Sequence, residues 1–192
     1  MLALLAMCAP AVDPVTMAAV VKQESGGQPW TINNNTTKKS VVFESKTAAV
    51  AAAMAAVGRG ESIDMGLAQV NSKNLQSLGL SVEQVFDPCT NIAASAKILA
   101  AGYQKTGTLG GAFSMYNTGK SDSKIGFDYA QKVFRQAGVK VPGIPGGQMA
   151  NFAANAPTAR PVRLVVMPSP FVAGLVPSSG FQLPTWQNPA WR

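Results

Sequence analysis

The sequence predicts a mainly α-helical domain, and three observations lead to that prediction. Apolar residues recur at helical spacing along most of the chain up to Val141, helix-capping residues stand at the starts of these runs, and no convincing alternating strand interrupts them. With 192 residues, of which 47% are hydrophobic and 13% charged, the chain is long enough for one domain with a sizeable core.

Each helix is predicted from its own start and stop signals. Asp13-Pro14 is an N-cap followed by proline, and Gly26-Gly27 ends the helix that it opens. The run 47–57 is rich in alanine and valine and predicts a buried helix, while Asp87-Pro88 opens a helix that reaches about Lys105. Shorter helices are predicted at 112–117 and 127–137, and the segment 40–43 is the one candidate for a minor strand.

The two ends of the chain differ from its middle. Residues 142–192 hold nine of the 13 prolines and no aspartate or glutamate, which predicts an extended, largely disordered tail, so the domain is assigned to residues 1–141. The apolar stretch 1–8 predicts a first helix that packs into the core. It is too short to cross a membrane, and it lacks the basic region and cleavage site of a convincing secretory leader.

Composition excludes several kinds of chemistry. The chain has no histidine, which rules out nucleophiles activated by histidine and zinc sites with histidine ligands. Cys8 and Cys89 are too few for a four-cysteine metal site, and neither a metal nor a cofactor is predicted. The net charge of +7 favours an anionic partner, but Lys38-Lys39 is the only adjacent basic pair, so nucleic acid is not expected.

Glu24 is the first candidate for catalysis. On the helix that opens at Asp13, it shares one arc of about 100° with Met17, Val20 and Val21. Loss of water and the negative end of the helix dipole would both raise the pKa of this carboxyl group, as a general acid near neutral pH requires. Geometry alone leaves open the alternative that Glu24 reaches solvent at a frayed helix end.

Three short blocks follow one another in a meaningful order. They are Glu24-Ser25-Gly26-Gly27, Asp64-Met-Gly66-Leu67-Ala68-Gln69, and Ser114-Met-Tyr116-Asn117-Thr-Gly119. Together with Cys8-Ala9-Pro10 and Phe86-Asp87-Pro88-Cys89, they resemble the lytic transglycosylases of goose-type lysozyme-like fold, and in particular the branch that serves type IV secretion and conjugation systems. The resemblance covers roughly residues 5 to 137.

The resemblance implies a lysozyme-like, soluble lytic transglycosylase domain followed by the proline-rich tail. It further implies cleavage of the β-1,4 bond between N-acetylmuramic acid and N-acetylglucosamine in peptidoglycan, with Glu24 as the single acid and then base and a 1,6-anhydromuramyl end as product. Tyr116 would form a hydrogen bond to Glu24 and orient it. Ser25 would brace that carboxylate or contact the substrate. Gln69 and Asn117 would hold glycan groups, and Gly66 would allow close approach of a sugar. For Asp64, a structural role such as capping the next turn is expected, in preference to that of a nucleophile.

Location and partners also follow from the resemblance. A protein that acts on the cell wall would work in the periplasm, where a disulfide between Cys8 and Cys89 would persist; two buried thiols are the alternative. The tail, which carries Phe and Trp side chains, would contact the secretion or conjugation machinery. Two other functions remain open, namely a muramidase that releases reducing ends and a non-catalytic peptidoglycan-binding module.

Overall fold

The computed structural model describes residues 2–138, which form eight α-helices and one four-stranded sheet. The helices are α1 (Leu2–Cys8), α2 (Pro14–Ser25), α3 (Lys46–Gly58), α4 (Leu75–Leu78), α5 (Val82–Val85), α6 (Pro88–Thr106), α7 (Leu109–Thr118) and α8 (Lys124–Gln136). The strands are β1 (Thr31–Asn34), β2 (Lys39–Val42), β3 (Ile63–Met65) and β4 (Val70–Asn71), and a 3₁₀ turn spans Ser72–Asn74. The mainly α fold class is therefore confirmed. The predicted tail, 142–192, lies outside the described residues.

Helix α2 begins and ends where its sequence signals predict. The carboxylate of Asp13 accepts hydrogen bonds from the backbone N–H groups of Val15 and Thr16, and Pro14 is the first helical residue. At the other end, Gly26 adopts a left-handed conformation with φ of 63°. These two caps fix the length of α2 and so place Glu24 in its last turn.

The three C-terminal helices were also predicted, with ends that differ by a few residues. Helix α6 is capped by Asp87 and buries Ile92, Ala96 and Leu99 at the predicted helical spacing. Helices α7 and α8 pack against each other, and α7 also packs against α6. The first helix, α1, buries Leu5 and Cys8 in the same core, as expected for the apolar N-terminal stretch.

A buried helix was expected at 47–57, but most of the surface of α3 is exposed, so this prediction is wrong. Only Ala49, Ala53 and Ala56 of α3 are buried, whereas Met54 is 51% exposed and Val57 37%. Helix α3 covers one face of the small sheet and meets solvent on its other side, so a run of alanine and valine here marks a half-buried helix. Alanine favours the helix on its own account and needs no burial on all sides.

The sheet is larger than the single predicted strand. Its antiparallel strands lie in the order β2-β1-β3-β4, and only β2 overlaps the strand predicted at 40–43. In the register of the strands, Ile32, Met65 and Val70 form a row on the face that packs with α3. The neighbouring row on the opposite face is polar and crosses all four strands: Ser40, Asn33, Asp64 and Asn71.

A disulfide joins two helices of the larger core. Cys8, at the end of α1, is bonded to Cys89, in the first turn of α6. The larger core gathers residues of α1, α2, α6, α7 and α8, and the smaller core lies between the sheet, α3 and α5. Within residues 2–138, none of the helices combines the length and the apolar character that a membrane crossing needs.

Removal of the disulfide should destabilise the fold without changing it. The bond joins residues 81 positions apart, and on the chain-entropy model a loop of this length contributes about 4.5 kcal/mol to the free energy of unfolding. The double variant Cys8→Ser with Cys89→Ser should therefore unfold at a clearly lower urea concentration than the oxidised protein. Equal midpoints in urea for the two proteins would contradict this contribution.

Candidate active site

The Glu24 carboxyl group lies at the wall of a cavity of about 370 Å³, half-buried in the last turn of α2. Burial raises the pKa of Glu24 to about 7, from an ordinary value of 4.5, and the nearby charge of Asp64 acts in the same direction. A hydrogen bond from Tyr129 opposes part of this rise. Glu24 therefore holds a proton over much of the neutral range and can release it near pH 7.

The hydrogen-bond partner of Glu24 is Tyr129, on α8, and not Tyr116 as expected. The hydroxyl of Tyr129 donates to Glu24 Oε1. Burial raises the pKa of Tyr129 well above its ordinary value, so this hydroxyl keeps its proton and remains a donor. Sequence reasoning missed Tyr129 because it lies in the apolar stripe of α8 with Ala130 and Val133, which is typical of a core tyrosine.

Tyr116 has a different task from the one expected. Its ring stacks beside that of Tyr129, with 6.4 Å between the ring centroids. Its hydroxyl donates to the carbonyl oxygen of Ala68 at 2.6 Å and lies 2.9 Å from the hydroxyl of Ser95. Because one hydroxyl has one proton, Ser95 is the donor in the second contact. Tyr116 thus holds the loop 66–69 and only lines the cavity beside Glu24.

Ser25 holds the same loop from the other side. Its hydroxyl donates to the carbonyl oxygen of Leu67 at 2.7 Å, which ties the end of α2 to the loop that follows β3. The hydroxyl oxygen of Ser25 also accepts the backbone N–H of Gly27 at 3.2 Å. The expected brace to the Glu24 carboxylate is not present, and Ser25 acts on Glu24 only through the backbone next to it.

Gly66 is required by a protein side chain, in contrast to the expectation of close approach by a sugar. Its φ is 79°, and a Cβ atom built on it would lie 2.4 Å from Asn91 Nδ2. The buried amide of Asn91 donates to the carbonyl oxygens of Met65 and Val85, and its Oδ1 accepts the backbone N–H of Ala68 at 2.8 Å. Asn91, which the sequence analysis did not identify, therefore supports the loop 66–69 from α6.

Gln69 and Asn117 both line the cavity, at different depths. Gln69 has a positive φ of 50°, and its side-chain nitrogen donates to the carbonyl oxygens of Gly66 and Thr31 at 2.8 and 3.2 Å. Its amide hydrogens are thus used to close the loop, which leaves only its carbonyl oxygen for a ligand. Asn117, at the end of α7, is exposed at the rim of the cavity.

Asp64 stands in the polar row of the sheet, where its carboxylate is held by hydrogen bonds and caps no turn. Its Oδ1 accepts the side-chain N–H of Asn71 at 2.6 Å. Its Oδ2 accepts from Asn35 at 2.7 Å and from Asn33 at 3.3 Å. Three carboxamides therefore fix this carboxylate on the wall that it shares with Glu24.

A family model described as the transglycosylase SLT domain matches residues 1–136. The chain belongs to this family. It is 33% identical over 142 residues to the protein virB1 of Agrobacterium fabrum, which covers 70% of this chain and 58% of that protein. It is 36% identical over 155 residues to the type IV secretion system protein virB1 of Brucella abortus, which covers 72% of this chain and 64% of that protein.

The chain spans about three fifths of the length of the curated relatives that it matches. No solved structure gives a significant match. Among residues 2–138 of this SLT domain, no group of three or more Cys, Asp or Glu side chains is arranged to hold a metal ion.

The raised pKa of Glu24 predicts a pH-dependent cost to the stability of this SLT domain. A carboxyl group whose pKa is higher in the folded state weakens folding as the pH rises from 4.5 to about 7. Glutamine does not ionise, so the Glu24→Gln variant does not lose stability in this way. Its free energy of unfolding should exceed that of wild type by about 2–3 kcal/mol at pH 8 and by little at pH 4.

Glu61→Gln is the matched control, measured by urea unfolding at both pH values. Hydrogen bonds from Arg59 lower the pKa of Glu61, so its carboxylate does not weaken folding at high pH. A gain of stability at pH 8 in both variants, or in neither, would contradict the assignment of a raised pKa to Glu24.

Proposed function

We propose that this chain cleaves the β-1,4 bond between N-acetylmuramic acid and N-acetylglucosamine in peptidoglycan and leaves 1,6-anhydromuramyl ends. The observation that carries the proposal is a carboxyl group with a pKa of about 7 at the wall of an open cavity in an SLT domain. Such a group is protonated often enough to act as an acid and ionises readily enough to act as a base afterwards.

In the first step, Glu24 donates its proton to the glycosidic oxygen. The bond between that oxygen and the anomeric carbon of the muramyl residue breaks, and positive charge develops on the ring as in other glycoside cleavages. Tyr129 donates a hydrogen bond to Glu24 and stabilises the carboxylate that this step forms. The fixed negative charge of Asp64 on the same wall favours the positive charge on the sugar.

In the second step, the 6-hydroxyl of the same muramyl residue attacks its anomeric carbon and gives its proton to the Glu24 carboxylate. This returns Glu24 to its protonated form, and no water is consumed. The hydrogen bonds of Asp64 support this route, because both of its carboxylate oxygens accept N–H groups of carboxamides. A carboxylate whose two oxygens are both held by hydrogen bonds is a poor nucleophile, so an attack by the substrate itself is favoured.

We further propose that the activity opens the cell wall locally for a type IV secretion or conjugation system. The support is the similarity to virB1 proteins, one of which is named as a type IV secretion system protein. The Cys8–Cys89 disulfide is typical of an oxidising compartment such as the periplasm. Contact with the machinery through residues 142–192 remains a proposal, to be tested by a chain that ends at Val141.

Glu24→Gln should abolish the release of muropeptides from purified sacculi, because it keeps the shape of the side chain and removes the transferable proton. General acid–base catalysis is typically worth about 10²–10⁴-fold, so less than about a hundredth of the wild-type rate is expected. Mass spectrometry of the products should find anhydro ends, which are one water lighter than reducing ends.

The other outcomes separate the competing functions. Glu61→Gln, which removes a carboxylate outside the cavity, should cleave at the wild-type rate. Products with reducing ends would favour the muramidase alternative. Binding to sacculi without any release by the wild-type protein would favour a non-catalytic module, and retention of more than about a tenth of the activity by Glu24→Gln would contradict a single-acid mechanism.

A further inference from the structure

We propose that the cavity selects glycan that is uncharged at the cleavage site, so that a muramyl residue with a free lactyl carboxylate is a poor substrate. This inference rests on the proposed function and refines its substrate. In peptidoglycan the lactyl group of muramic acid ends either in an amide bond to the stem peptide or, once the peptide has been removed, in a free carboxylate. The two forms differ by one negative charge close to the scissile bond.

The charge of the cavity wall disfavours an anionic ligand. Glu24 and Asp64 lie on its wall, and the other polar lining residues are carboxamides and hydroxyls. Within the described part of the chain, no lysine or arginine lines the cavity. A ligand carboxylate would therefore meet the fixed charge of Asp64 with no cation in the cavity wall to offset it. In a partly desolvated cleft, such a repulsion is much stronger than in open water.

Three carboxamides of the cavity wall have no free N–H group to offer a ligand. Both hydrogens on the side-chain nitrogen of Asn33 are used, one by Asn35 Oδ1 and one by Asp64. The same holds for Asn71, whose nitrogen donates to Ser62 and Asp64. Gln69 spends both of its hydrogens on backbone carbonyls. These side chains can offer a ligand only their carbonyl oxygens, which are acceptors.

The orientation of these amides is fixed by their partners. A flip of Asn71 would point its carbonyl oxygen at Asp64 Oδ1, and a flip of Gln69 would point its oxygen at the carbonyls of Gly66 and Thr31. Oxygen would then face oxygen, which no hydrogen bond can bridge without an added proton. The part of the wall that Asn33, Asn71 and Gln69 form therefore offers acceptors and suits a ligand that brings donors, such as sugar hydroxyls and amide N–H groups.

An amide-capped lactyl group satisfies both conditions. It carries no charge at the position next to the ring, and its N–H adds a donor where the wall offers acceptors. A free lactyl carboxylate fails on both counts, because it is negatively charged and only accepts. The net charge of +7 attracts the whole chain to an anionic polymer. The cavity, in contrast, disfavours a free lactyl carboxylate. We therefore expect the substrate to be glycan that still carries its stem peptides.

Three pools of soluble glycan strands test the inference on the wild-type protein. The first pool keeps its stem peptides. The second has been stripped by an amidase and carries free lactyl carboxylates. The third is the stripped pool after its carboxylates have been converted to methylamides. We expect kcat/KM on the first and third pools to agree within about threefold, and on the second pool to be lower by about tenfold or more.

Each other result has a distinct meaning. Equal rates on all three pools would overturn the selection by charge and leave the proposed function intact. Cleavage of the first pool but not the third would show recognition of the peptide itself, which also overturns the inference. Cleavage of none of them would contradict the proposed function.

A variant adds a test that is independent of the absolute rate. Asp64→Asn should narrow the preference between the third and second pools, because it removes the fixed charge and keeps the size of the side chain. Glu61→Gln, the control outside the cavity, should leave the preference unchanged. An unchanged preference in Asp64→Asn would contradict the role of this charge, and the comparison of pools on wild type stands even if that variant folds poorly.

Discussion

The burial of the Glu24 carboxyl group is the physical constraint on which the proposed chemistry depends. A carboxyl at the end of a helix would ordinarily ionise well below neutral pH, and burial here moves its pKa to about 7. One donor, the hydroxyl of Tyr129, limits that rise and stabilises the ionised form. The neutral and ionised states of Glu24 are therefore close in free energy near neutral pH, which is the condition for a single group to give and then take back a proton.

The loop 66–69 shows how the rest of the fold serves that carboxyl group. Ser25 holds the loop from α2, Asn91 holds it from α6, and Tyr116 holds it from α7. Each of the three bonds to the loop backbone, so helices that are distant in sequence are locked around one short segment. Ser25 and Tyr116, which belong to the sequence motifs, thus support the loop structurally. Glu24 and the acceptor oxygens of the polar row are the groups that remain available to bind a ligand.

The sequence predicted the helices well where local chemistry decides them. Asp13-Pro14 and Asp87-Pro88 each supply a side-chain cap and a proline that fits the first turn, which requires no knowledge of the rest of the fold. Strands β1 and β3 were missed because their polar face lines a cavity and their apolar residues are too few for a visible alternation. The bond from Tyr129 to Glu24 joins residues 105 positions apart, and no local pattern reports such a contact.

The most direct test of the central claim is the titration of Glu24 itself, followed by NMR of a protein with ¹³C-labelled glutamate carboxyl groups. Glu24→Gln assigns the signal by its loss. We expect a midpoint near pH 7 in the wild-type protein and a higher midpoint in Tyr129→Phe, because that variant loses the hydrogen bond that favours the ionised form. A wild-type midpoint near the ordinary value of 4.5 would contradict the account.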